Sequence, residues 1–454
     1  MINSTDPQTI TLTAGAIMPS TTVMSANTEL VGPDTGTFSI DRLTMPTGTL
    51  TLGAGNFTVD GYLVLQGGTI NMGAGNISAQ TFQQSDGTFN GGAGTMTLTA
   101  NTNLYLTGGT FNAPSGNLSL TAVTGNIMQH GSGNTFNHNN GTVTFVMSGS
   151  ATVDLNSTDT FNNITLSGGS GTLTITSGDT LVAVGTTTMT QGTVRTGNLV
   201  AQGNVVITSG ICTAPLTFSG SANQDFNLTG GTGNVNVTTT IDKTGGAVTL
   251  LSALVLDSTN TWLKITSGTL DLAGQNLTVS SSGSVFDVAA NGTLKLQGGE
   301  TITSRTANPL AAGSTVVYNG TSATPYTMVD WTYRNLEIAG GANSVFSFPS
   351  NQTSINNLTL TSGLLDINGY NLTVAGTFAN SSTLRLKGGE TISFADNTDV
   401  SSSGTIDYKG AGDGGGADTF TIKDYTYYNF SVSSTDGGDI FNAPSTLTIN
   451  NNFT

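Results

Sequence analysis

Apolar and polar residues alternate in short runs along most of the chain. In Thr49–Leu52 (TLTL) and Asn56–Val59 (NFTV), every second residue is apolar. This period of two places the apolar side chains on one face of a strand and the Thr and Asn side chains on the other. Gly-Gly, Gly-Ala-Gly-Asn and Asp-Gly separate the runs, and these residues tolerate the positive φ of tight turns. The pattern predicts many short strands.

A recurring Thr-apolar-Asn cue sets the spacing between these strands. It appears at Thr69–Asn71, Thr88–Asn90 and Thr110–Asn112, so that successive cues lie 19 and 22 residues apart. Three short strands fill one such interval, which predicts an all-β fold: a parallel β-solenoid with coils of roughly 19–22 residues and three strands each. The side chains expected to point inward are Leu50, Leu52, Phe57, Val59, Leu63 and Leu65, with Thr49, Thr51 and Thr58 pointing outward.

A longer repeat of about 95 residues overlies these coils in the second half of the chain. Its paired segments are Gly268–Val279 with Gly363–Val374, Leu294–Ile302 with Leu384–Ile392, and Asp330–Leu336 with Asp424–Phe430. Their offsets of 95, 90 and 94 residues drift as insertions and deletions in loops would make them. Self-similarity at a nearly fixed period is the signature of a repeat architecture.

The chain divides into three parts by the regularity of its pattern. Residues 1–47 are an N-terminal cap or irregular first coils, residues 48–267 are a regular β-solenoid, and residues 268–454 are two repeats with longer loops. Asn451–Thr454 aligns with Asn356–Thr359, after which the first copy continues into a further strand. We therefore expect the chain either to continue into more coils or to stack end to end on another copy.

Charge is scarce and mostly negative. Charged residues make up 8% of the chain, against roughly 25% in ordinary soluble proteins. With 11 Lys and Arg residues and a net charge of −16, a phosphate-neutralising surface for nucleic acid is not expected. Membrane insertion is not expected either, because no apolar run approaches the roughly 18 residues of a span. The single cysteine, Cys212, is expected to be a small buried apolar residue and not a reactive thiol.

Several runs resemble the β-strand repeats of very large bacterial surface proteins. They are Gly141–Phe145, Asp159–Leu166, Gly203–Ile207 and Leu270–Gly274. In build they are similar to the β-helices of adhesins and autotransporter passengers. This resemblance implies an extracellular, cell-surface role, fibrous and often adhesive. It supplies no catalytic residue.

A carbohydrate-active enzyme on a β-helix is the first alternative. Such chemistry needs clustered carboxylates, or bound Ca²⁺ with a basic residue. The five arginines are scattered, and Arg334, which lies close to Asp330, corresponds to Tyr428 in the second copy. We therefore expect the protein not to be an enzyme.

Two groups of residues could bind a metal. Asp413, Asp418, Asp436 and Asp439 lie in Gly/Asp-rich loops that weakly resemble calcium turns, although the turn is not iterated from coil to coil. A solvated glycine loop is the preferred interpretation, so that no cofactor is expected and Ca²⁺ is the alternative. His130 and His138 have no Cys or carboxylate at ligand spacing, and both are expected to be exposed loop residues.

Aromatic and asparagine residues offer the remaining candidate sites. A sugar- or partner-binding platform and tight packing across a loop are both consistent with the aromatic group Trp331, Tyr333, Tyr425, Tyr427 and Tyr428. Asn-x-Ser/Thr recurs, as at Asn56 and Asn76, where amide stacking between coils is preferred over glycosylation.

Together these patterns predict an extracellular structural or adhesive surface protein, or a fibre subunit. Its expected partners are further coils joined end to end, and glycans or other cell-surface molecules. A carbohydrate-binding or carbohydrate-active β-helix protein is the alternative.

Overall fold

The computed structural model describes residues 1–100, 102–229, 235–396, 398–412, 416–434 and 436–454. The chain forms two compact units, Met1–Thr239 and Thr240–Thr454. Each is built almost entirely of short parallel strands.

The strands of the first unit are β1 Gln8–Thr11, β2 Ile17–Met18, β3 Thr21–Thr22, β4 Thr28–Val31, β5 Thr37–Ile40, β6 Leu43–Met45, β7 Thr49–Leu52, β8 Asn56–Leu65, β9 Thr69–Met72, β10 Ile77–Gln84, β11 Thr88–Asn90, β12 Thr95–Leu98, β13 Leu104–Leu106, β14 Gly109–Asn112, β15 Asn117–Ala122, β16 Gly125–His130, β17 Asn134–Asn137, β18 Thr142–Met147, β19 Ser150–Asp154, β20 Thr158–Phe161, β21 Asn163–Ser167, β22 Thr172–Ile175, β23 Thr180–Ala183, β24 Thr187–Met189, β25 Thr193–Arg195, β26 Asn198–Ala201, β27 Val205–Ile207, β28 Ile211–Cys212, β29 Leu216–Phe218 and β30 Gln224–Leu228.

From the boundary at Thr239 onward the elements are β31 Thr239–Leu250, β32 Leu254–Val255, β33 Trp262–Asp271, β34 Leu277–Val279, β35 Val285–Leu296, β36 Ile302–Ser304, β37 Thr315–Tyr318, β38 Tyr326–Thr327, β39 Asn335–Ala339, β40 Val345–Ser347, β41 Gln352–Ile355, β42 Asn357–Ser362, β43 Leu364–Asp366, β44 Leu372–Asn380, β45 Thr383–Leu386, β46 Ile392–Asp396, the helix α1 Thr398–Ser402, β47 Thr405–Tyr408, β48 Thr419–Thr421, β49 Thr426–Val432, β50 Ile440–Asn442 and β51 Thr448–Phe453.

A coil of the first unit contributes three strands, as the spacing predicts, except that β8 and β10 each span two of these positions. Beyond them, strands pair with the strand three places later, for example β12 with β15, β15 with β18 and β18 with β21. The Thr-apolar-Asn cue is itself in register, since Thr88 pairs with Thr69 on one side and with Thr110 on the other. The fold is therefore a parallel β-solenoid in which the predicted coil spacing is confirmed.

The predicted core is also confirmed. The six residues expected to point inward are each at most 5% exposed. Burying one Leu or Phe side chain contributes about 1.5–3 kcal/mol, and the alternation repeats this gain in coil after coil. Thr49, Thr51 and Thr58 point outward but are half-buried. They are half-buried because the coils on either side flank them, so that even the outer face of a solenoid strand is only partly open to solvent.

Identical side chains stack along the first unit. The amides of Asn90, Asn112 and Asn137 each donate to the asparagine one coil earlier, at 2.9, 2.8 and 2.8 Å. The neighbouring rings of Phe89 and Phe111 are stacked 4.8 Å apart. The predicted amide stacking also occurs where Asn76 donates to Asn56 at 3.0 Å. These stacks satisfy side-chain hydrogen bonds along the solenoid axis without charge.

The corners of the coils bring backbones very close together. A Cβ atom added to Gly92 would lie 1.6 Å from the carbonyl oxygen of Gly73 and 1.8 Å from that of Met72. Only glycine allows this approach, because real Cβ atoms never come so near to a carbonyl oxygen. The glycine-rich separators therefore set the coil-to-coil contact as well as the turn.

In the second unit, a glutamate explains the repeated Gly-Gly-Glu motif. The Glu390 carboxylate accepts the backbone N–H groups of Lys387 and Gly388 at 2.6 and 2.7 Å. Glu300 accepts those of Gln297 and Gly298 at the same two distances in the first copy. One side chain thus closes the turn after β45 and after β35, which accounts for the likeness of these two segments.

Within the described ranges, no helix is long and apolar enough to cross a membrane.

Candidate functional site

The structure places the five candidate aromatic residues in two different environments. Trp331 is 6% exposed, and Tyr333 and Tyr427 are fully buried. Tyr425 and Tyr428 are half-buried. A sugar-stacking platform needs exposed ring faces, which the three buried residues lack. Packing, the other interpretation of this motif, describes these three residues; a binding role for Tyr425 and Tyr428 stays a prediction.

The buried tyrosines of the first copy form a closed hydrogen-bond relay. The Val329 N–H donates to Tyr318 Oη at 3.1 Å, and Tyr333 Oη donates to the Val329 carbonyl at 2.6 Å. The two hydroxyl oxygens are 2.8 Å apart. Because Tyr333 uses its one proton on Val329, Tyr318 must donate to Tyr333. The two hydroxyls thus bond both backbone groups of Val329, a loop residue whose carbonyl also accepts the Trp331 N–H at 2.8 Å. We call this arrangement the tyrosine relay.

The second copy repeats the tyrosine relay with new residues. Lys423 N–H donates to Tyr408 Oη at 3.0 Å, and Tyr427 Oη donates to the Lys423 carbonyl at 2.6 Å. Tyr408 Oη and Tyr427 Oη are 3.2 Å apart. The aromatic motif of each repeat therefore anchors the loop that precedes β39 or β49.

Burial fixes the chemistry of these hydroxyls. It raises the pKa of Tyr333 well above its usual value, and the neighbouring hydroxyl of Tyr318 adds to this effect. Burial likewise raises the pKa of Tyr427, with Tyr408 next to it. Both tyrosines are therefore neutral hydrogen-bond donors at physiological pH.

The acidic residues lie in two loops, and the strands that follow these loops, β48 and β50, pair with each other. Asp413 lies outside the described residues, and Asp418 is exposed. Ser434 Oγ donates to Asp439 at 2.9 Å, and the Gly438 N–H donates to Asp436 at 3.3 Å. In the part of the chain that the structure describes, no group of three or more His, Cys, Asp or Glu side chains is placed to hold a metal ion. A solvated glycine loop stays the preferred interpretation of these residues, with Ca²⁺ as the alternative.

The expectation of an exposed loop histidine is wrong for His130. It is the last residue of β16 and is 6% exposed. Its Nδ1 lies 2.7 Å from both carboxylate oxygens of Asp159, and its Nε2 lies 3.0 Å from the Asn134 carbonyl. Asp159 is 29 residues away in sequence, on β20, so local spacing cannot reveal the pair. His138, in contrast, lies half-buried outside any strand.

The surroundings of His130 favour its protonated form. Both ring nitrogens face acceptors, and only the imidazolium can donate from both. Burial lowers the pKa of His130, but the hydrogen bond and charge of Asp159, together with the Asn134 carbonyl, outweigh it and raise the pKa above its usual value of 6.5. His130 and Asp159 thus form a buried ion pair, a structural arrangement in which each charge compensates the other.

A second carboxyl group lies near this pair. Asp179 Oδ2 accepts the Leu155 N–H at 2.8 Å. Burial raises the pKa of Asp179, and the Asp154 and Asp159 carboxylates raise it further, against the Leu155 hydrogen bond. Asp179 therefore titrates more readily than an exposed aspartate as the pH falls.

Cys212 is a buried apolar residue, as expected. Its side chain is fully enclosed, and its sulfur donates to the Ala214 carbonyl at 3.4 Å. Burial raises the pKa of the Cys212 thiol to about 12. The thiolate, which is the reactive form, is therefore negligible at neutral pH.

The class of the protein follows from the fold. The chain is a parallel β-solenoid repeat protein with internal copies in its second half. No protein-family model matches the sequence, no curated protein matches it, and no solved structure matches its fold.

Proposed function

We propose that the protein is an extracellular structural or adhesive component of a bacterial cell surface, whose coils add end to end. The observation that carries this proposal is the parallel, in-register pairing of coils within each unit, which in the second unit extends to β51. Support for the location and the bacterial source comes from the resemblance of the runs Gly141–Phe145 and Asp159–Leu166 to bacterial surface repeats.

The last coil provides a surface on which another coil could add. β51 pairs in parallel with β49, with Phe453 beside Phe430 and their rings stacked 5.6 Å apart. Phe453 is nevertheless 67% exposed. An unpaired strand edge with an apolar side chain is a template for a further strand. Further residues of the same protein or a second copy could supply that strand.

The scarcity of charge favours such contact. Natural edge strands are commonly protected by lysine or proline, whereas β51 reads TINNNF. Charged residues make up 8% of the whole chain, so that few like charges oppose the approach of two coils.

Sedimentation velocity of the 454-residue chain over a range of concentrations tests this proposal. We expect wild-type protein to form species larger than the monomer, and Phe453→Lys to shift it toward the monomer. Leu251→Lys is the matched control, because Leu251 is also an exposed apolar residue, at 49%, but lies away from β51. Monomer at every concentration, or an equal effect of both variants, would contradict end-to-end addition.

We also propose that this role is non-catalytic. The scattered arginines, and the replacement of Arg334 by Tyr428 in the second copy, support this view. A screen of acidic and neutral polysaccharides should find no turnover. Turnover that is abolished by changing one carboxylate would establish the carbohydrate-active alternative instead.

A further inference from the structure

A polar cleft of about 410 Å³ opens on the side of the second unit. Three of the eleven cations of the chain line it: Arg385, Lys387 and Lys409. Asn368 and Ser433 line it as well. We call this group of five side chains the basic cleft. Such a concentration of positive charge is unexpected in a protein with a net charge of −16.

Stacking of coils aligns these residues. Arg385 pairs with Asp366 in the preceding coil and with Asp407 in the following one. Lys387 and Lys409 each follow one of these residues by two positions. Side chains two residues apart in an extended chain lie on the same face. The cleft is therefore built from two adjacent columns on the outer face of neighbouring coils.

Ion pairs hold two of the cations in place. Arg385 Nε lies 2.7 Å from Asp407 Oδ2, and Lys409 Nζ lies 2.5 Å from Asp366 Oδ2. The Asp407 and Asp366 side chains are 4% and 5% exposed, whereas the Arg385 and Lys409 side chains are 26% and 27% exposed. The carboxylates thus lie beneath the cations, and the positive groups face the cleft.

Lys387 completes the positive face. Its side chain lies across the turn at Gly369, where an added Cβ atom would be 3.2 Å from Lys387 Cδ and 3.8 Å from Nζ. Among the described residues no carboxylate forms an ion pair with Lys387 Nζ. Lys387 is thus the third cation that lines the cleft.

The first copy serves as an internal comparison on the same scaffold. In it, the positions of Asn368, Lys387, Asp407, Lys409 and Ser433 hold Ala273, Gln297, Val317, Asn319 and Ala339. Gln297 also lies across a glycine turn, 2.9 Å from the position of a Cβ atom on Gly274. The first copy stacks its coils without Asn368, Lys387, Asp407, Lys409 and Ser433. Stacking therefore does not require these five residues in the second copy.

From this comparison we infer that the basic cleft binds the carboxylate of a short acidic saccharide. Arg and Lys donors supply charge-assisted hydrogen bonds to the carboxylate. The Asn368 amide is suited to sugar hydroxyls, and the Ser433 hydroxyl, which donates to Asp407 at 2.7 Å, can accept from one. The net charge of −16 repels a long polyanion, which favours a free uronic acid or a single acidic unit at the end of a saccharide. This inference is independent of end-to-end assembly, because the cleft lies on the side of the coils.

Isothermal titration calorimetry of the full chain at low ionic strength tests it, with three probes. These are glucuronic acid, an oligosaccharide ending in glucuronate, and the corresponding neutral oligosaccharide. We expect one or both acids to bind and the neutral compound not to bind. Raising the ionic strength from about 0.01 M to about 1 M should weaken binding, since it shortens the Debye length from about 30 to about 3 Å. Tighter binding of the oligosaccharide would identify a terminal unit, and equal binding a free acid.

The variants restore the residues of the first copy. Lys387→Gln should weaken binding about tenfold, as expected for one charge-assisted contact, and it leaves both ion pairs intact. Lys387→Gln with Lys409→Asn should abolish detectable binding. Arg305→Gln removes the same charge from an exposed position elsewhere and should leave binding unchanged. Unchanged tryptophan fluorescence would show that each variant is folded.

Several results would overturn the inference. The first is that neither acid binds. The second is that the neutral oligosaccharide binds as tightly as the acidic one. The third is that the folded double variant binds the acids as tightly as the wild type does. Inorganic phosphate that binds as tightly as the acids would also overturn it, because the hydroxyl contacts would then contribute nothing.

Discussion

The tyrosine relay makes a prediction that the two internal copies allow to be checked twice. Tyr333→Phe removes one hydroxyl and leaves the fully buried ring in place. The hydroxyl of Tyr318 then loses its acceptor at 2.8 Å, and the Val329 carbonyl loses one of its two donors, the one at 2.6 Å, and keeps the Trp331 N–H at 2.8 Å. Each buried hydrogen bond contributes about 1 kcal/mol, so we expect a loss of about 2 kcal/mol in the free energy of unfolding.

Urea denaturation followed by tryptophan fluorescence measures this loss in the right part of the chain. Both tryptophans, Trp262 and Trp331, belong to the unit Thr240–Thr454. Tyr427→Phe should cost a similar or slightly smaller amount, because it loses the same two contacts and its hydroxyl–hydroxyl distance is longer, at 3.2 Å. Tyr105→Phe, in the other unit, should leave the fluorescence transition unmoved.

A double-mutant cycle then tests whether the two hydroxyls act together. Tyr318→Phe combined with Tyr333→Phe should cost less than the sum of the single changes, with a coupling energy of about 1 kcal/mol. An unmoved midpoint in Tyr333→Phe, or strict additivity in the cycle, would refute the relay as an anchor of the loop.

Three further predictions concern the first unit, where labelling of Cys212 by a thiol reagent reports unfolding. Wild-type Cys212 should remain unlabelled until that unit unfolds, because it is enclosed; rapid labelling under native conditions would contradict the buried position. The wild type should be more stable to unfolding than His130→Gln, and this difference should be complete below pH 6.5, the usual pKa of histidine. The difference should decline as the pH rises through the raised pKa of His130 in the folded state. A difference that grows with pH would contradict the ion pair. Gly92→Ala should destabilise the first unit by about 1–3 kcal/mol through overpacking. Gly131→Ala is the control and should be tolerated, because its added Cβ atom would lie 3.5 Å from its nearest neighbour. Equal effects of the two variants would contradict the close approach at Gly92.

The periodic part of the structure could be predicted because short sequence patterns determine each coil of the solenoid. Thr88 pairs with Thr69 and Thr110 at the predicted spacings, because each strand of a solenoid pairs with the equivalent strands of the coils before and after it. Inward-facing positions follow from the alternation for the same reason. Coil geometry is therefore a property of short segments, which sequence patterns describe well.

The ion pair of His130 could not be predicted from local spacing, although a weaker signal was present. In Thr158–Phe161 the alternation places Asp159 at an inward position. A charged residue at such a position needs a buried partner, and the only question is which residue supplies it. That partner lies one coil away, so that the coil register had to be known first.

The aromatic motif left two interpretations open for a related physical reason. Tyr333 and Tyr427 carry a polar atom on an apolar ring, and such residues suit a sugar-binding surface as well as a core with a hydrogen-bond partner. Only the positions of Val329 and Lys423 show that the partner is the backbone carbonyl of a loop residue. The basic cleft was missed because its residues come from four successive coils.

Fibre diffraction from aligned assemblies of the 454-residue chain tests the central claim most directly. If coils add end to end, the spacing between neighbouring strands, about 4.7–4.9 Å, must lie along the fibre axis and give a meridional reflection. We predict that reflection for wild-type protein, and no aligned fibres from Phe453→Lys. Fibres that carry the strand spacing on the equator, which side-by-side association would produce, would contradict the account.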